Sequence, residues 1–195
     1  MNFQSIRILV VDDEFAIRQS YRQILEANQN LSRLKELEDL FDEEDGEPDE
    51  FTGDFDQSDD EEILIEEWNI GNYEILEASQ GKDALRLIET ALAEQAPIAL
   101  VFLDMRMPPG MNGLETAKRI RQLDPYVEIV IFSAYSDFSY DEIIAEVGNP
   151  DRLLSFHKPF KPAQIRQLTT SLTQKWLIEN REREQDDSWT DEMPD

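Results

Sequence analysis

The sequence predicts an α/β fold built on a five-stranded parallel sheet with helices on both faces. Two observations support this prediction. Five short runs of apolar and β-branched residues alternate along the chain with segments whose apolar residues recur at helical spacing. Several of these runs end abruptly in a charged or hydroxyl residue just before a loop. Strands that alternate with helices form doubly wound parallel sheets with right-handed crossovers.

The first strand–helix unit lies near the start of the chain. Residues 6–11 (IRILVV) form a β-branched, apolar run that is typical of a strand buried on both faces. The run ends in Asp12, Asp13 and Glu14. A helix is then predicted from apolar residues at intervals close to three and four, namely Phe15, Ile17, Tyr21, Ile24 and Leu25.

The other four units follow a long acidic connection. The predicted strands, all short and apolar, are residues 73–78, 98–103, 127–132 and 153–156. The predicted helices, all amphipathic, are residues 82–94, 114–123, 140–147 and 162–180. The strand at 98–103 is bounded by Pro97 and by a Pro/Gly loop, and Asp104 comes directly after it.

Composition excludes several classes of function. The 195 residues carry a formal net charge of −26, which argues against nonspecific nucleic-acid binding and against an anionic membrane surface. The chain has no cysteine, so disulfides and thiolate metal sites are excluded. No apolar run approaches the roughly 18 residues of a membrane-spanning helix, and we expect a cytoplasmic protein.

The negative charge is concentrated in two segments. Residues 36–67 contain 18 acidic residues and no lysine or arginine, and residues 181–195 contain seven acids against two arginines. We therefore expect one domain over residues 1–180, interrupted by an insertion at about 29–70, and an acidic tail over 181–195. Residues 42–62 are too charged to bury themselves, so we expect this part of the insertion to be flexible.

Polar residues follow four of the five predicted strands. Asp12 and Asp13 follow the first strand, Asp104 the third, Ser133 the fourth and, after His157, Lys158 the fifth. Because parallel strands end at the same edge of a sheet, these side chains should meet in the crevice where open α/β sheets bind ligands. The insertion joins a helix to the next strand, so it should lie at the opposite edge.

The residue types at this edge suit phosphoryl chemistry. Three carboxylates repel one another unless a cation is present, and hard oxygen ligands suit Mg²⁺. A carboxylate can also act as a nucleophile and form an aspartyl phosphate. Lys158 would supply a positive charge to a phosphoryl oxygen, and Ser133 a hydroxyl donor. Taken singly, each residue also fits a turn cap or a solvated surface position.

Four separated motifs resemble the receiver domain of two-component response regulators. They are ILVVDDE, LVFLDMRMP with NGLE, IVIFSA and HKPF, and the resemblance covers residues 6 to about 173 except the acidic insertion. The chain looks particularly like receivers joined to histidine kinases or to cyclic-dinucleotide output domains. The resemblance implies a flavodoxin-like sheet with strand order 2-1-3-4-5.

The resemblance also implies a role for each residue at the strand ends. Asp104 would be the phosphoacceptor, and Asp12 and Asp13 would hold Mg²⁺ together with Asp104 and the backbone carbonyl of Arg106. Ser133 would be the hydroxyl that turns toward the phosphate, and Lys158 the cation that pairs with it.

One position departs from the family pattern. An aromatic residue that takes part in switching normally lies three residues before the lysine, and here that position is Ser155. Phe156 is adjacent, but its side chain should point to the other face of the strand. We therefore expect the usual coupling between hydroxyl and aromatic ring to be altered, with output through another surface.

The function that these observations favour is a phosphorylation-activated response regulator and not an enzyme. A histidine kinase or phosphotransfer protein would phosphorylate Asp104, and the output would run through contacts with a downstream protein, without direct nucleic-acid or membrane binding. A homodimer could form through Trp176 and Leu177 on the final helix. Two alternatives stay open: an inert receiver-like acidic interaction module, and a haloacid-dehalogenase-type phosphatase, which would need an acid where Arg106 stands.

Overall fold

The structure, a computed structural model, describes residues 5–27, 72–134 and 138–190, with side chains up to residue 183. The whole of the predicted insertion at 29–70, including the predicted flexible segment at 42–62, lies outside the described residues. Within the described residues, no helix is long and apolar enough to cross a membrane.

In the described residues, five strands and five helices alternate as predicted. The strands are β1 (Ile6–Val11), β2 (Tyr73–Ala78), β3 (Ile98–Asp104), β4 (Glu128–Ser133) and β5 (Leu153–His157). The helices are α1 (residues 15–27), α2 (Gly81–Ala93), α3 (Gly113–Leu123), α4 (Tyr140–Val147) and α5 (Pro162–Thr190), with a 3₁₀ turn at Pro150–Arg152 before β5.

The strands form one parallel sheet in the order β2-β1-β3-β4-β5. This confirms the predicted fold class and strand order. Three strands run one residue further than predicted, because parallel pairing continues to the polar residues: Asp104 pairs with Phe132, and Ser133 with His157. The chain re-enters the sheet at its amino edge, where the amide of Ile6 donates to the carbonyl of Asn72 at 2.9 Å.

Two apolar layers cover the sheet because successive side chains on a strand point to opposite faces. Leu9 and Val11 pack in the layer that includes α2, α3 and α4. Ile8 and Val10 pack in the layer that includes α1 and α5. The sheet is therefore covered on both faces, and its carboxyl edge is left for a site.

Helix α5 is held to the amino edge of the sheet by a buried ionic cluster. The carboxylate of Glu128, 1% exposed, lies 2.8 Å from Nη1 of Arg152 and 3.0 Å from Nζ of Lys175. Arg152 also pairs with Glu179, one turn further along α5. A buried carboxylate with two cationic partners is compensated, so the helix is fixed beyond its apolar contacts.

The predicted end of the last helix, near Asn180, is wrong. Helix α5 continues to Thr190, because residues 181–187 are mostly strong helix formers and contain neither glycine nor proline. The predicted acidic tail over 181–195 is thus partly helical. Trp176, proposed for a dimer seam, is only 2% exposed and packs into the domain. A seam on this helix would need exposed residues such as Ile178.

Candidate functional site

The carboxyl edge of the sheet gathers the acids that follow β1 and end β3. Asp12 continues the sheet, since its amide donates to the carbonyl of Ala78 at 3.2 Å. Asp104 is the last residue of β3. One carboxylate oxygen from each of Asp12, Asp13 and Asp104 lies within 4.8 Å of the others. The structure thus brings the three predicted carboxylates together.

Backbone amides orient two of these carboxylates. Oδ1 of Asp12 accepts from the amide of Glu14 at 2.9 Å, and Oδ2 of Asp104 accepts from the amide of Arg106 at 3.2 Å. Both side chains are nearly buried, with 2% of Asp12 and 8% of Asp104 exposed. The predicted use of the Arg106 carbonyl as a ligand stays a prediction.

Lys158 bridges two of the three acids. Its Nζ lies 2.8 Å from Oδ1 of Asp104 and 3.0 Å from Oδ2 of Asp12. Its amide donates to the carbonyl of Ser133 at 3.0 Å, which fixes the start of the β5–α5 loop against the end of β4. The ammonium that the sequence predicts at this edge is thus in direct contact with the predicted phosphoacceptor.

The protonation equilibria reflect burial and crowding. Burial raises the pKa of the Asp104 carboxyl, and the hydrogen bond from Lys158 opposes this shift only in part. Burial alone would lower the pKa of the Lys158 ammonium, but the hydrogen bonds to Asp104 and Asp12 outweigh it, so its pKa is raised. Lys158 is therefore charged at neutral pH, and Asp104 lies in a site with more negative charge than its single lysine balances.

The donor set fits a hard divalent cation. Three carboxylates face one ammonium, so the cluster retains negative charge, and its oxygens are the ligand type that Mg²⁺ prefers. Two of the acids are buried where water screens them little. A cation bound there would relieve their mutual repulsion.

The β3–α3 loop is held close to Asp104 from two sides. A Cβ atom on Gly113 would stand 2.3 Å from the carbonyl oxygen of Asp104, so only glycine lets α3 begin this near the strand. Nε2 of Gln80 donates to the carbonyl of Pro108 at 3.3 Å, which ties the loop to the start of α2. Beside the loop lies an open cleft of about 480 Å³, lined partly by Arg106 and Phe138.

Ser133 ends β4 and is 1% exposed. Its Oγ lies 3.5 Å from Nδ1 of His157, its pairing partner on β5. Because Asp104 pairs with Phe132, Ser133 lies one residue beyond the neighbour of Asp104 on the adjacent strand. The hydroxyl is thus at the predicted edge of the sheet.

The side chain of Phe156 packs on the α1 and α5 side of the sheet. Its ring stacks on Phe132 with centroids 6.0 Å apart, whereas Leu153 packs in the opposite layer. The predicted orientation of Phe156 is confirmed. No aromatic ring occupies position 155, and the phenyl ring of β5, that of Phe156, belongs to the other layer.

Sequence reasoning missed Arg18, which contacts the β1–α1 loop. It also missed the proximity of His157 to Ser133. The arginine lies five residues after Asp13, and that spacing places a first-turn helical side chain back over the loop. The histidine could have been found by pairing the ends of β4 and β5 in parallel register.

Comparison with known proteins was consistent with this geometry. A family model described as the response regulator receiver domain matches residues 58–170, more than half of the chain. The match begins after β1, which the structure nonetheless places between β2 and β3.

Two curated relatives match more than half of this chain. Sporulation initiation phosphotransferase F of Bacillus subtilis is 32% identical over 104 residues, covering 53% of this chain and 77% of that protein. The transcriptional regulatory protein YrkP of the same organism is 30% identical over 134 residues, 67% of this chain. The chain spans only about half of YrkP, 53% of its length.

Solved structures agree in fold. The match to a CheY-like receiver domain from Methanospirillum hungatei covers 90% of this chain and 99% of that domain, with a TM-score of 0.56 and 19% identity. The match to a receiver domain from Clostridium thermocellum covers 89% of this chain and 98% of that domain, with a TM-score of 0.56 and 18% identity. At this identity the likeness concerns the fold.

Proposed function

Because the chain belongs to the family of response regulator receiver domains, we propose that it is a phosphorylation-activated switch with Asp104 as the phosphoacceptor. One observation carries the proposal: Asp104 meets Asp12, Asp13 and the ammonium of Lys158 at the carboxyl edge of the sheet. An aspartate that only capped a turn would not need contact with a lysine that also contacts a second buried carboxylate.

The donor is a histidine kinase or a phosphotransfer protein. A carboxylate oxygen of Asp104 attacks the phosphorus of a phosphohistidine, the nitrogen–phosphorus bond breaks, and the imidazole nitrogen leaves. Asp12, Asp13, Asp104 and the carbonyl of Arg106 would hold Mg²⁺, which when bound supplies neutralisation of the phosphoryl oxygens. The domain is a phosphoacceptor that promotes its own phosphorylation and dephosphorylation, not an enzyme with a separate substrate.

Lys158 and Ser133 carry the signal away from Asp104. Phosphorylation removes the carboxylate charge that Lys158 contacts at 2.8 Å, and the phosphoryl oxygens become its new partner. The hydroxyl of Ser133, now 3.5 Å from His157, would turn to donate to the same phosphate. These two movements bias the ends of β4 and β5, and with them the surface that a partner recognises.

The output is a contact with another protein. A formal net charge of −26 disfavours direct binding to nucleic acid. Relatives named as transcriptional regulators or as a cyclic di-GMP phosphodiesterase response regulator extend well beyond the part that matches this chain. The inert interaction module would share the fold but would not need the acid cluster. The phosphatase alternative lacks the acid that it requires at Arg106.

Hydrogen–deuterium exchange tests the switch. Acetyl phosphate with Mg²⁺ should change exchange at the ends of β4 and β5 and around α4 in the wild type. Asp104→Asn, treated in the same way, should show no change. A wild-type protein that is phosphorylated but exchanges identically in both states would contradict the switch, whereas one that gains no phosphoryl group would support the inert module.

A further inference from the structure

Arg18, in the first turns of α1, contacts the backbone of both acids in the β1–α1 loop. Its Nη1 donates to the carbonyl oxygen of Asp12 at 2.7 Å and to that of Asp13 at 3.2 Å. The same guanidinium lies 3.5 Å from Oε2 of Glu77, near the carboxyl end of β2, and only 13% of the side chain is exposed. One side chain therefore joins β2, the loop and α1.

The local geometry explains this reach. The amide of Arg18 donates to the carbonyl of Glu14 at 3.2 Å, so Arg18 stands one helical turn after the loop. Side chains on a helix point toward its amino terminus, which directs the guanidinium back over Asp12 and Asp13. The planar guanidinium offers several donors in a rigid arrangement, and Glu77 fixes its orientation.

We propose that Arg18 is a positioning residue for the cation site. It immobilises the peptide groups of Asp12 and Asp13, so that their side chains leave the loop in directions that converge with Asp104. This inference rests on the proposed function, because it assigns Arg18 to the same Mg²⁺ site. Groups that orient metal ligands without touching the metal affect affinity by about 10- to 100-fold in other proteins.

A role of Arg18 through its charge and a role through positioning predict opposite changes in Mg²⁺ affinity when Arg18 is removed. If Arg18 acted only through its positive charge, its removal would leave the acid cluster more negative and would strengthen cation binding. If Arg18 acts by holding the two carbonyls, its removal lets the loop relax and weakens cation binding. The sign of the change therefore distinguishes the two roles.

The experiment measures Mg²⁺ affinity by calorimetry on the full chain, with thermal melts in EDTA as a check of folding. Arg18→Ala should weaken binding about tenfold. Arg18→Lys keeps the positive charge but loses the planar guanidinium with its fixed donors, so it should also weaken Mg²⁺ binding. Arg22→Ala is the matched control, because Arg22 also pairs with Glu77, at 2.6 Å, from the next turn of α1 but contacts the carbonyl of Ile75. It should bind Mg²⁺ like the wild type.

Each outcome decides the proposal. Unchanged or tighter binding in Arg18→Ala, or a loss of the same size in Arg22→Ala, would overturn it. If Arg18→Ala fails to fold, Arg18→Lys decides, since wild-type affinity in that variant would leave only a role for charge. A wild-type protein that binds no Mg²⁺ would instead refute the proposed function, which separates the two failures.

Discussion

Nζ of Lys158 lies 2.8 Å from Oδ1 of Asp104, and the same ammonium lies 3.0 Å from Oδ2 of Asp12. A single cation thus holds two nearly buried carboxylates that would otherwise repel each other. The ion pair makes the site sensitive to the charge state of Asp104, because any reaction that removes that charge releases one partner of the lysine. Substitutions at this contact and around it should therefore change both stability and cation binding.

Asp104→Asn should stabilise the folded protein in metal-free buffer. Burial raises the pKa of Asp104 in the folded state, so the folded protein binds that proton more tightly than the unfolded chain does. Ionisation of Asp104 therefore lowers the free energy of unfolding. The loss begins as pH rises past the pKa of Asp104 in the unfolded chain, and it is complete above the pKa of Asp104 in the folded protein. Removing the charge should raise the free energy of unfolding by about 1 kcal/mol at pH 7.

Melting curves in EDTA check this prediction. The difference in free energy of unfolding between Asp104→Asn and the wild type should shrink as pH falls below the pKa of Asp104 in the folded protein. It should vanish below the pKa of Asp104 in the unfolded chain, since both proteins are then neutral at this position. A variant less stable than the wild type at pH 7 would show that the ion pair with Lys158 outweighs burial.

Lys158→Gln should bind Mg²⁺ more tightly and fold less stably. The substitution removes the ammonium that competes with a cation for Asp12 and Asp104. In EDTA it leaves two nearly buried carboxylates without a counter-charge, which should cost about 2 kcal/mol. Calorimetry and urea unfolding measure the two effects. Weaker Mg²⁺ binding in the variant would mean that Lys158 orients the acids instead of competing with the cation.

The carboxyl-edge residues could be predicted because they follow runs whose strand character is unambiguous. The apolar strand before Asp104 and the parallel topology together bring Asp12, Asp13, Asp104 and Lys158 to one edge. By contrast, the end of α5 could not be predicted, because its acidic sequence favours a helix by propensity yet also matches a solvated tail. Arg18 was missed because an arginine on an amphipathic helix usually faces solvent. The contacts of Arg18 with the loop carbonyls depend on how α1 packs against the sheet.

Gly113→Ala should damage the site and the fold together. The new methyl group would stand 2.3 Å from the carbonyl oxygen of Asp104 and 2.8 Å from Cα of Met105, so α3 must move away from the strand end. The expected loss is about 2–3 kcal/mol, with weaker Mg²⁺ binding. Urea unfolding and calorimetry measure both.

Gly148→Ala provides the control for Gly113→Ala. Gly148 has φ of +73°, but the space that a Cβ atom would take there is open to at least 4 Å, so this substitution strains only the backbone. It should cost about 1 kcal/mol and leave Mg²⁺ affinity unchanged. Equal effects of the two variants on Mg²⁺ affinity would contradict the role given to the close approach at Asp104.

Deleting residues 42–62 should leave the cation site intact. The deleted segment connects α1 to β2, and the chain re-enters at Asn72 beside Ile6, at the amino edge of the sheet. A six-residue strand separates the two edges by about 20 Å, roughly two Debye lengths at physiological salt. Mg²⁺ affinity should therefore stay within a few-fold of the wild type. A large loss would show that the deleted acids reach the carboxyl edge.

Intact-mass measurement after incubation with acetyl phosphate tests the phosphoacceptor assignment most directly. With Mg²⁺, the wild type should gain a single phosphoryl group, and with EDTA it should gain none. Asp104→Asn should gain none under either condition, whereas Arg22→Ala should behave like the wild type. An unchanged wild-type mass in the presence of Mg²⁺, or a phosphoryl group on Asp104→Asn, would contradict the assignment of Asp104 as the phosphoacceptor.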